Sequence, residues 1–240
     1  ANHLGDRTSL DLVGEQNELF RALKALGKPV IAVLVNGRPP SYPAIAAEAD
    51  AILETWYAGE QQGTAIADAL LGRINPGGKM PVSTARNVGQ LPIFYNHKPS
   101  ARRGYLFDEV TPLYPFGWGL SYTTFAFGAP RLSASTIRPG EGVSVTVSLT
   151  NTGTREGDEV VQAYLRDDVS SVTRPVKELV GFKRVTLKPG ETREVTIPIR
   201  PEAFMLWNAQ MERVVEPGTF TIMVGPNSVD LQSVTLTVSE

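Results

Sequence analysis

The chain has 240 residues, 42% apolar and 20% charged, and its 23 Lys and Arg against 25 Asp and Glu leave a net charge of −2. This composition supports one large domain or two modest ones and excludes wholesale disorder. The even balance, 11 against 11 up to Thr124 and 12 against 14 after it, excludes the basic footprint of a nucleic-acid binder and a polybasic membrane patch.

There is no cysteine, so disulfides, thiolate metal sites and cysteine nucleophiles go together, and the compartment stays open. The longest apolar run, residues 30–35, falls far short of the roughly 20 residues of a spanning helix.

Residues 14–26 place Leu19, Phe20, Leu23 and Leu26 on one helical face, with Gly27 as the C′ residue. Residues 29–35 are apolar and β-branched, the pattern of a strand buried on both faces. A short helix over 44–49, a strand over 51–56 and a helix over 63–71 with Ile66 and Leu70 on one face follow. Asn75-Pro76-Gly77-Gly78 then makes a turn. Such alternation predicts parallel strands covered by helices.

Residues 1–95 therefore read as the C-terminal part of an α/β sandwich domain, mostly parallel and incomplete. They supply two or three strands where such a sheet has about five or six. The chain opens Ala1-Asn2-His3, with neither an initiator Met nor a signal segment, so the remaining strands are expected before Ala1.

Residues 90–122 are rich in Pro, Gly, Tyr and Phe without periodicity, and 96–124 read as an aromatic-rich connecting loop. Its rings, with Phe94, Tyr95, Tyr105, Phe107, Tyr114, Phe116 and Trp118 in or beside it, predict packing rather than free solvation. From Phe125 onward the period is two, clearest in 143–149, 194–199 and 219–224. Pro-Gly turns stand at Pro139-Gly140, Pro189-Gly190 and Pro217-Gly218. About seven short strands over 125–240 predict a β-sandwich of immunoglobulin or fibronectin type III architecture, with Trp207 in its core. The fold class is thus α/β followed by all-β.

Chemistry-bearing residues are few. His3 and His97 are the two histidines, no Gly-x-Ser-x-Gly elbow exists, and no carboxylate–histidine cluster has metal spacing. Neither Gly-x-Gly-x-x-Gly nor a P-loop is present, and Gly117-Trp118-Gly119 lacks the strand-to-helix context of a phosphate loop, so no cofactor is expected. Glu15 and Glu18 sit where acidic groups favour a helix N-terminus; Glu54 and Asp68 are further carboxylates of this half. Glu60 follows a parallel strand, where open α/β sheets bind ligands, and fits the start of the next helix as well. Trp56, Tyr57, Trp118 and Tyr122 offer flat aromatic faces for a sugar or for packing. Lys98, Arg102 and Arg103 form a small basic cluster, a solvated face or a contact to substrate or subunit.

Gly5-Asp6-Arg7-Thr8-Ser9-Leu10-Asp11-Leu12 with Gly14-Glu15-Gln16, Gly27-Lys28-Pro29-Val30, Asn36-Gly37-Arg38-Pro39, Ala51-Ile52-Leu53-Glu54-Thr55-Trp56-Tyr57 and Asn75-Pro76-Gly77-Gly78-Lys79-Met80-Pro81 stand in order along the chain. So do Val88-Gly89-Gln90-Leu91-Pro92 and Tyr114-Pro115-Phe116-Gly117-Trp118-Gly119-Leu120-Ser121-Tyr122, followed by Asn151-Thr152-Gly153 and Leu187-Lys188-Pro189-Gly190-Glu191-Thr192. Together they resemble the C-terminal portion of family 3 glycoside hydrolases, nearest the bacterial β-glucosidases, over essentially the whole chain.

The resemblance implies a retaining exo-β-glucosidase acting on β-glucosides or cello-oligosaccharides. Its (β/α)₈-type barrel and aspartate nucleophile would lie in a companion N-terminal segment or chain. The acid/base glutamate would stand shortly before Asp6-Arg7. Counting back four from Arg7 gives His3, so both catalytic carboxylates are expected outside this chain, with His3, Asp6 and Arg7 as neighbours of the acid/base loop. Trp56, Tyr57, Glu60, Arg103 and Tyr105 are the candidates for substrate contact. A periplasmic or secreted location and a homodimer are compatible with the resemblance, and neither nucleic acid nor membrane is an expected partner. β-Xylosidase or β-N-acetylglucosaminidase specificity stays open, as does a non-catalytic carbohydrate-binding or adhesion module, which would not need the α/β half.

Overall fold

The computed structural model describes residues 7–99, 104, 106 and 108–240. They form two compact units: 7–74, 82–93 and the described residues between 106 and 114 make the first, and 75–81, 94–99, 104 and 115–240 the second.

In the first unit, α1 (Gln16–Lys24) precedes β1 (Ile31–Leu34), α2 (Pro43–Glu48), β2 (Ala51–Glu54) and α3 (Gln62–Leu70). β1 and β2 pair in parallel, Ile31 against Ala51 through Leu34 against Glu54, with α2 in the crossover. Pro43 opens α2, where its missing N–H costs nothing. Phe20, Leu34, Tyr42 and Ile45 form the buried cluster, with Leu12, Val30, Ile52, Leu113 and Tyr114 against it. The Asp50 carboxylate, just before β2, accepts the Val30 N–H at 2.7 Å and the Lys24 ammonium at 2.9 Å. These donors hold it below the usual carboxylate range.

Two expectations about this unit need correction. Of the face predicted for α1 only Phe20 is buried, while Leu19, Leu23 and Leu26 are exposed. β1 is not buried on both faces: Leu34 is covered, but Ile31 and the adjoining Val35 are half open. The sheet has two described strands, too few to cover an apolar helix face and both sides of a strand.

The second unit is the sandwich. One sheet runs β5 (Thr136–Ile137), β13 (Gln232–Val238), β12 (Gly218–Gly225), β7 (Gly157–Asp167), β8 (Glu178–Leu187), antiparallel except for β5 beside β13. In the other, β6 (Val143–Asn151) pairs with β9 (Thr192–Ile199) on one side and with β3 (Phe125–Phe127) and β4 (Arg131–Leu132) on the other. Val143, Val145, Val147 and Leu149 of β6 turn inward in alternation. Inward-facing residues of both sheets make one core, including Val161, Leu187, Ile197, Phe220, Ile222 and Leu236. Six long strands and five of two or three residues occupy the region expected to hold about seven.

Two of the three Pro-Gly turns share one construction. Glu141 and Glu191 each donate their N–H to the carbonyl of Arg138 or Lys188 at 3.0 Å, and their carboxylates accept the N–H of that same residue. Gly140 and Gly190 take positive φ, as position i+2 of a type II turn requires. Gly218 instead begins β12.

Trp207 lies on the short hairpin of β10 (Leu206–Trp207) and β11 (Arg213–Val214) and is 59% exposed, so the expectation that it sits in the core is wrong. Period two within a two-residue strand puts one neighbour in and the other out, and Leu206 is the buried one.

Candidate functional site

In an open parallel sheet the ligand crevice lies beyond the carboxyl ends of the strands. Here that place is built from residues 35–40 after β1 and 55–61 after β2. The loop after β2 is fixed at its start: Thr55 gives both its N–H, at 3.0 Å, and its hydroxyl, at 2.8 Å, to the Leu34 carbonyl of the neighbouring strand. Trp56 then takes φ 53°, the left-handed region that a residue with a side chain enters at a cost of about 1–2 kcal/mol.

That reversal leaves Trp56 half-buried and Tyr57 76% exposed. The Tyr57 ring lies against the backbone of Gly37, where a Cβ would stand 2.5 Å from Tyr57 Cε2. One side of an otherwise open aromatic ring is therefore backed by main chain. Gly59, at φ 77°, closes the loop, and the Ala58 N–H is capped by Gln62 Oε1 at 3.1 Å.

Two polar groups stand beneath this loop. The side-chain amide of Asn36 reaches both oxygens of Glu54, 3.1 and 3.2 Å away. Glu54 Oε1 also accepts the Trp56 N–H at 3.1 Å. Partial burial raises the Glu54 pKa, and these hydrogen bonds oppose the rise. Tyr42, buried nearby, is pushed up by burial and by the Glu54 charge.

Trp56, Tyr57 and Glu60 thus fall in one loop at the carboxyl end of β2. Glu60 is exposed immediately before the N-cap residue Gln61, so it stands both on the loop and at the start of α3. His3, Asp6, Arg102, Arg103 and Tyr105 lie outside the described residues, whereas Arg7 is exposed and donates to the Asp11 carbonyl. Glu18 pairs with Arg21 one turn on and Asp68 with Arg73 at 3.1 Å, both ordinary surface pairs. Lys98 donates to the Thr173 carbonyl, and the Arg155 guanidinium sits over the Tyr122 ring. Among the described residues no group of three or more His, Asp or Glu is arranged to hold a metal ion.

The aromatic segment packs in part. Tyr95 stacks on Phe116 at 4.4 Å between ring centroids, meets the edge of Tyr164, and accepts the Leu179 N–H. Phe94 and Tyr122 are exposed, and Tyr105 and Phe107 lie outside the described residues. Gly117-Trp118-Gly119 is a structural turn: Gly117 and Trp118 pair with Met80, and the buried Gln162 amide fills the space a Gly117 side chain would need.

Glu54 was counted only among the carboxylates of this half, and neither it nor Asn36 was given a role from the sequence. Their signal is a polar residue closing or just following an apolar parallel strand, in Val33-Leu34-Val35-Asn36 and Ile52-Leu53-Glu54.

The family description "Glycosyl hydrolase family 3 C-terminal domain" fits residues 2–122, and "Fibronectin type III-like domain" fits 159–228. A β-xylosidase of Formosa agariphila is 50% identical over 98% of this chain and 33% of its own length. The periplasmic β-glucosidase of Salmonella typhimurium is 47% identical over 95% of this chain and 31% of its own length. Among solved structures, a β-glucosidase from Erythrobacter marinus superposes with a TM-score of 0.95 at 50% identity, over 98% of this chain and 31% of that one. The glucose complex of Listeria innocua β-glucosidase gives 0.93 at 36% identity, over 98% of this chain and 34% of that one. The chain spans about a third of the length of these relatives.

Proposed function

Because the chain belongs to glycoside hydrolase family 3, we propose that it forms the C-terminal part of a retaining exo-β-glucosidase and supplies one wall of its sugar-binding cleft. The observation that carries this reading is the loop after β2: an exposed tyrosine ring, backed on Gly37, at the carboxyl end of a parallel strand pair. A ring of that kind suits the apolar face of a pyranose. Trp56, Tyr57 and Glu60, with Arg103 and Tyr105, are the proposed substrate contacts.

The nucleophile and the proton donor come from outside this chain in the proposal. The half-buried carboxylate at the strand ends, Glu54, is already engaged with Asn36 and Trp56. A companion segment would add strands beside β1 and β2 and cover Leu19, Leu23, Leu26 and Ile31, which unaided would be an aggregation hazard. A periplasmic or secreted location rests on the periplasmic relative.

The 240-residue chain alone is expected to leave an aryl β-glucoside intact. Mixed with a companion carrying a barrel and the upstream glutamate, it is expected to restore hydrolysis, since acid–base assistance alone contributes about 10²–10⁴-fold. Activity of the isolated chain, or an inactive complex that co-elutes, would overturn the reading. β-Xylosidase activity is the second reading, favoured by the Formosa agariphila relative, and the same mixture assayed on an aryl β-xyloside separates the two.

A further inference from the structure

Glu54 ends an otherwise apolar strand, a costly place for a carboxylate unless it is fully engaged. Its engagement is specific. Asn36, from the loop after the neighbouring strand, holds both oxygens with one amide nitrogen. A further donor, to Oε1, is the N–H of Trp56, the residue whose backbone is left-handed. A residue bearing an indole keeps that conformation when its surroundings hold it there. The reversal decides which way the next side chain points, and that side chain is Tyr57, whose ring then rests on Gly37. Residues 36, 37, 54, 56 and 57 thus form a linked brace in which two loops fix one aromatic face.

We propose that Glu54 is a positioning residue: its carboxylate, steadied by Asn36, holds the left-handed turn at Trp56 and so sets the orientation of the Tyr57 ring toward a sugar in the cleft. This rests on the reading of Tyr57 as a sugar-facing ring. Glu54 itself touches no substrate in this scheme. What matters is an acceptor at Oε1, so glutamine can replace glutamate: its carbonyl still accepts from Trp56, and its amide donates to Asn36 Oδ1 once that side chain turns over.

The test uses the full-length protein that carries this chain, assayed on cellobiose and on an aryl β-glucoside. Tyr57→Ala is expected to raise KM for cellobiose about tenfold with kcat little changed. Glu54→Ala is expected to do the same, and the double variant to be no worse than the poorer single one. Glu54→Gln is expected to stay within about twofold of the parent, and Glu54→Asp, too short to serve both partners, to fall between. In a Trp56→Gly background, where the left-handed backbone is free of strain, Glu54→Ala is expected to lower Tm by clearly less than in the parent.

An unchanged KM in Tyr57→Ala overturns the sugar-facing reading while the Tm comparison still reads the brace. Multiplying KM effects in the double variant, or an equal Tm loss in both backgrounds, overturns the role of Glu54. If Glu54→Ala does not fold, Glu54→Asp carries the same comparison, and a Glu54→Asp enzyme with parental KM and Tm refutes the proposal.

Discussion

Asn151 ends β6 and is fully buried, and replacing it should be among the most damaging single changes in the sandwich. Its side-chain nitrogen donates to the carbonyls of Arg155 at 2.7 Å and Leu187 at 2.9 Å. Its side-chain oxygen accepts the Thr123 hydroxyl at 2.7 Å and the Gly153 N–H at 3.1 Å. Asn151→Ala strands at least the Leu187 carbonyl and the buried Thr123 hydroxyl, and an orphaned buried group costs about 1–3 kcal/mol, so a loss of about 3–4 kcal/mol is expected. Asn151→Asp keeps the shape but turns a carboxylate oxygen toward two carbonyls. Its loss at neutral pH should match or exceed that of alanine and shrink as acid protonates the new carboxyl. Urea unfolding at two pH values reads both effects, as a shifted midpoint with unchanged slope. A loss below about 1 kcal/mol for alanine, or an aspartate variant as stable as the parent at neutral pH, would refute the reasoning.

Lys79 and Glu159 pair at 2.7 Å with side chains only 11% and 7% exposed, so Lys79→Met should cost about 3–5 kcal/mol, and Lys79→Met with Glu159→Leu should recover most of it in the same urea assay. Gly37→Ala should leave stability within about 0.5 kcal/mol, because the obstructed atom is the end of a movable ring, yet raise KM for cellobiose by displacing Tyr57. Burial foremost, and then the charges of Glu216 and Asp168, lift Asp167 to about 6. The folded state therefore holds this proton more tightly than the unfolded chain, and the contribution of Asp167 falls as pH rises from about 4 to 6. Asp167→Asn should accordingly raise Tm at pH 7, by an amount equivalent to about 1–2 kcal/mol after solvent screening, and hardly at pH 4.

The sandwich was legible because its strands are half-buried on one face. Val143 to Leu149 alternates in sequence as it does in burial, and Pro139-Gly140 and Pro189-Gly190 supply the backbone geometry that type II turns demand. Trp207 misled because hydrophobicity was read without register: beside the buried Leu206, the alternation sends it outward. The helices and strands of the first unit were found within a residue or two, since β1–α2–β2 announces itself by apolar runs of the right lengths. Which of their faces would be covered was not legible, because coverage depends on neighbours that the local pattern does not specify. The Glu54–Asn36 pair was missed for the same reason. The two residues are 18 apart in sequence and meet because parallel pairing sets Leu34 beside Glu54.

The two units differ in how far each accounts for its own apolar surface. The sandwich closes nineteen buried residues into one cluster drawn from both sheets, and its polar outer faces are matched across strands, as in the hydroxyl pairs Thr146–Thr196 and Thr150–Thr192. Among its described residues the α/β unit buries four together and leaves leucines of α1, Ile31 and Val35 open, although its backbone hydrogen bonding is regular. Local propensity and the parallel ladder are enough to shape these elements, whereas net stability requires the apolar area they have not yet buried. The same asymmetry bears on chemistry. The loop after β2 gains its geometry from inside the unit, through Leu34, Asn36, Glu54 and Gly37, and so presents Tyr57 in a fixed orientation. Under the proposed function, a companion would bring the reacting carboxylates and bury the open leucines, so that assembly and completion of the cleft would be one event.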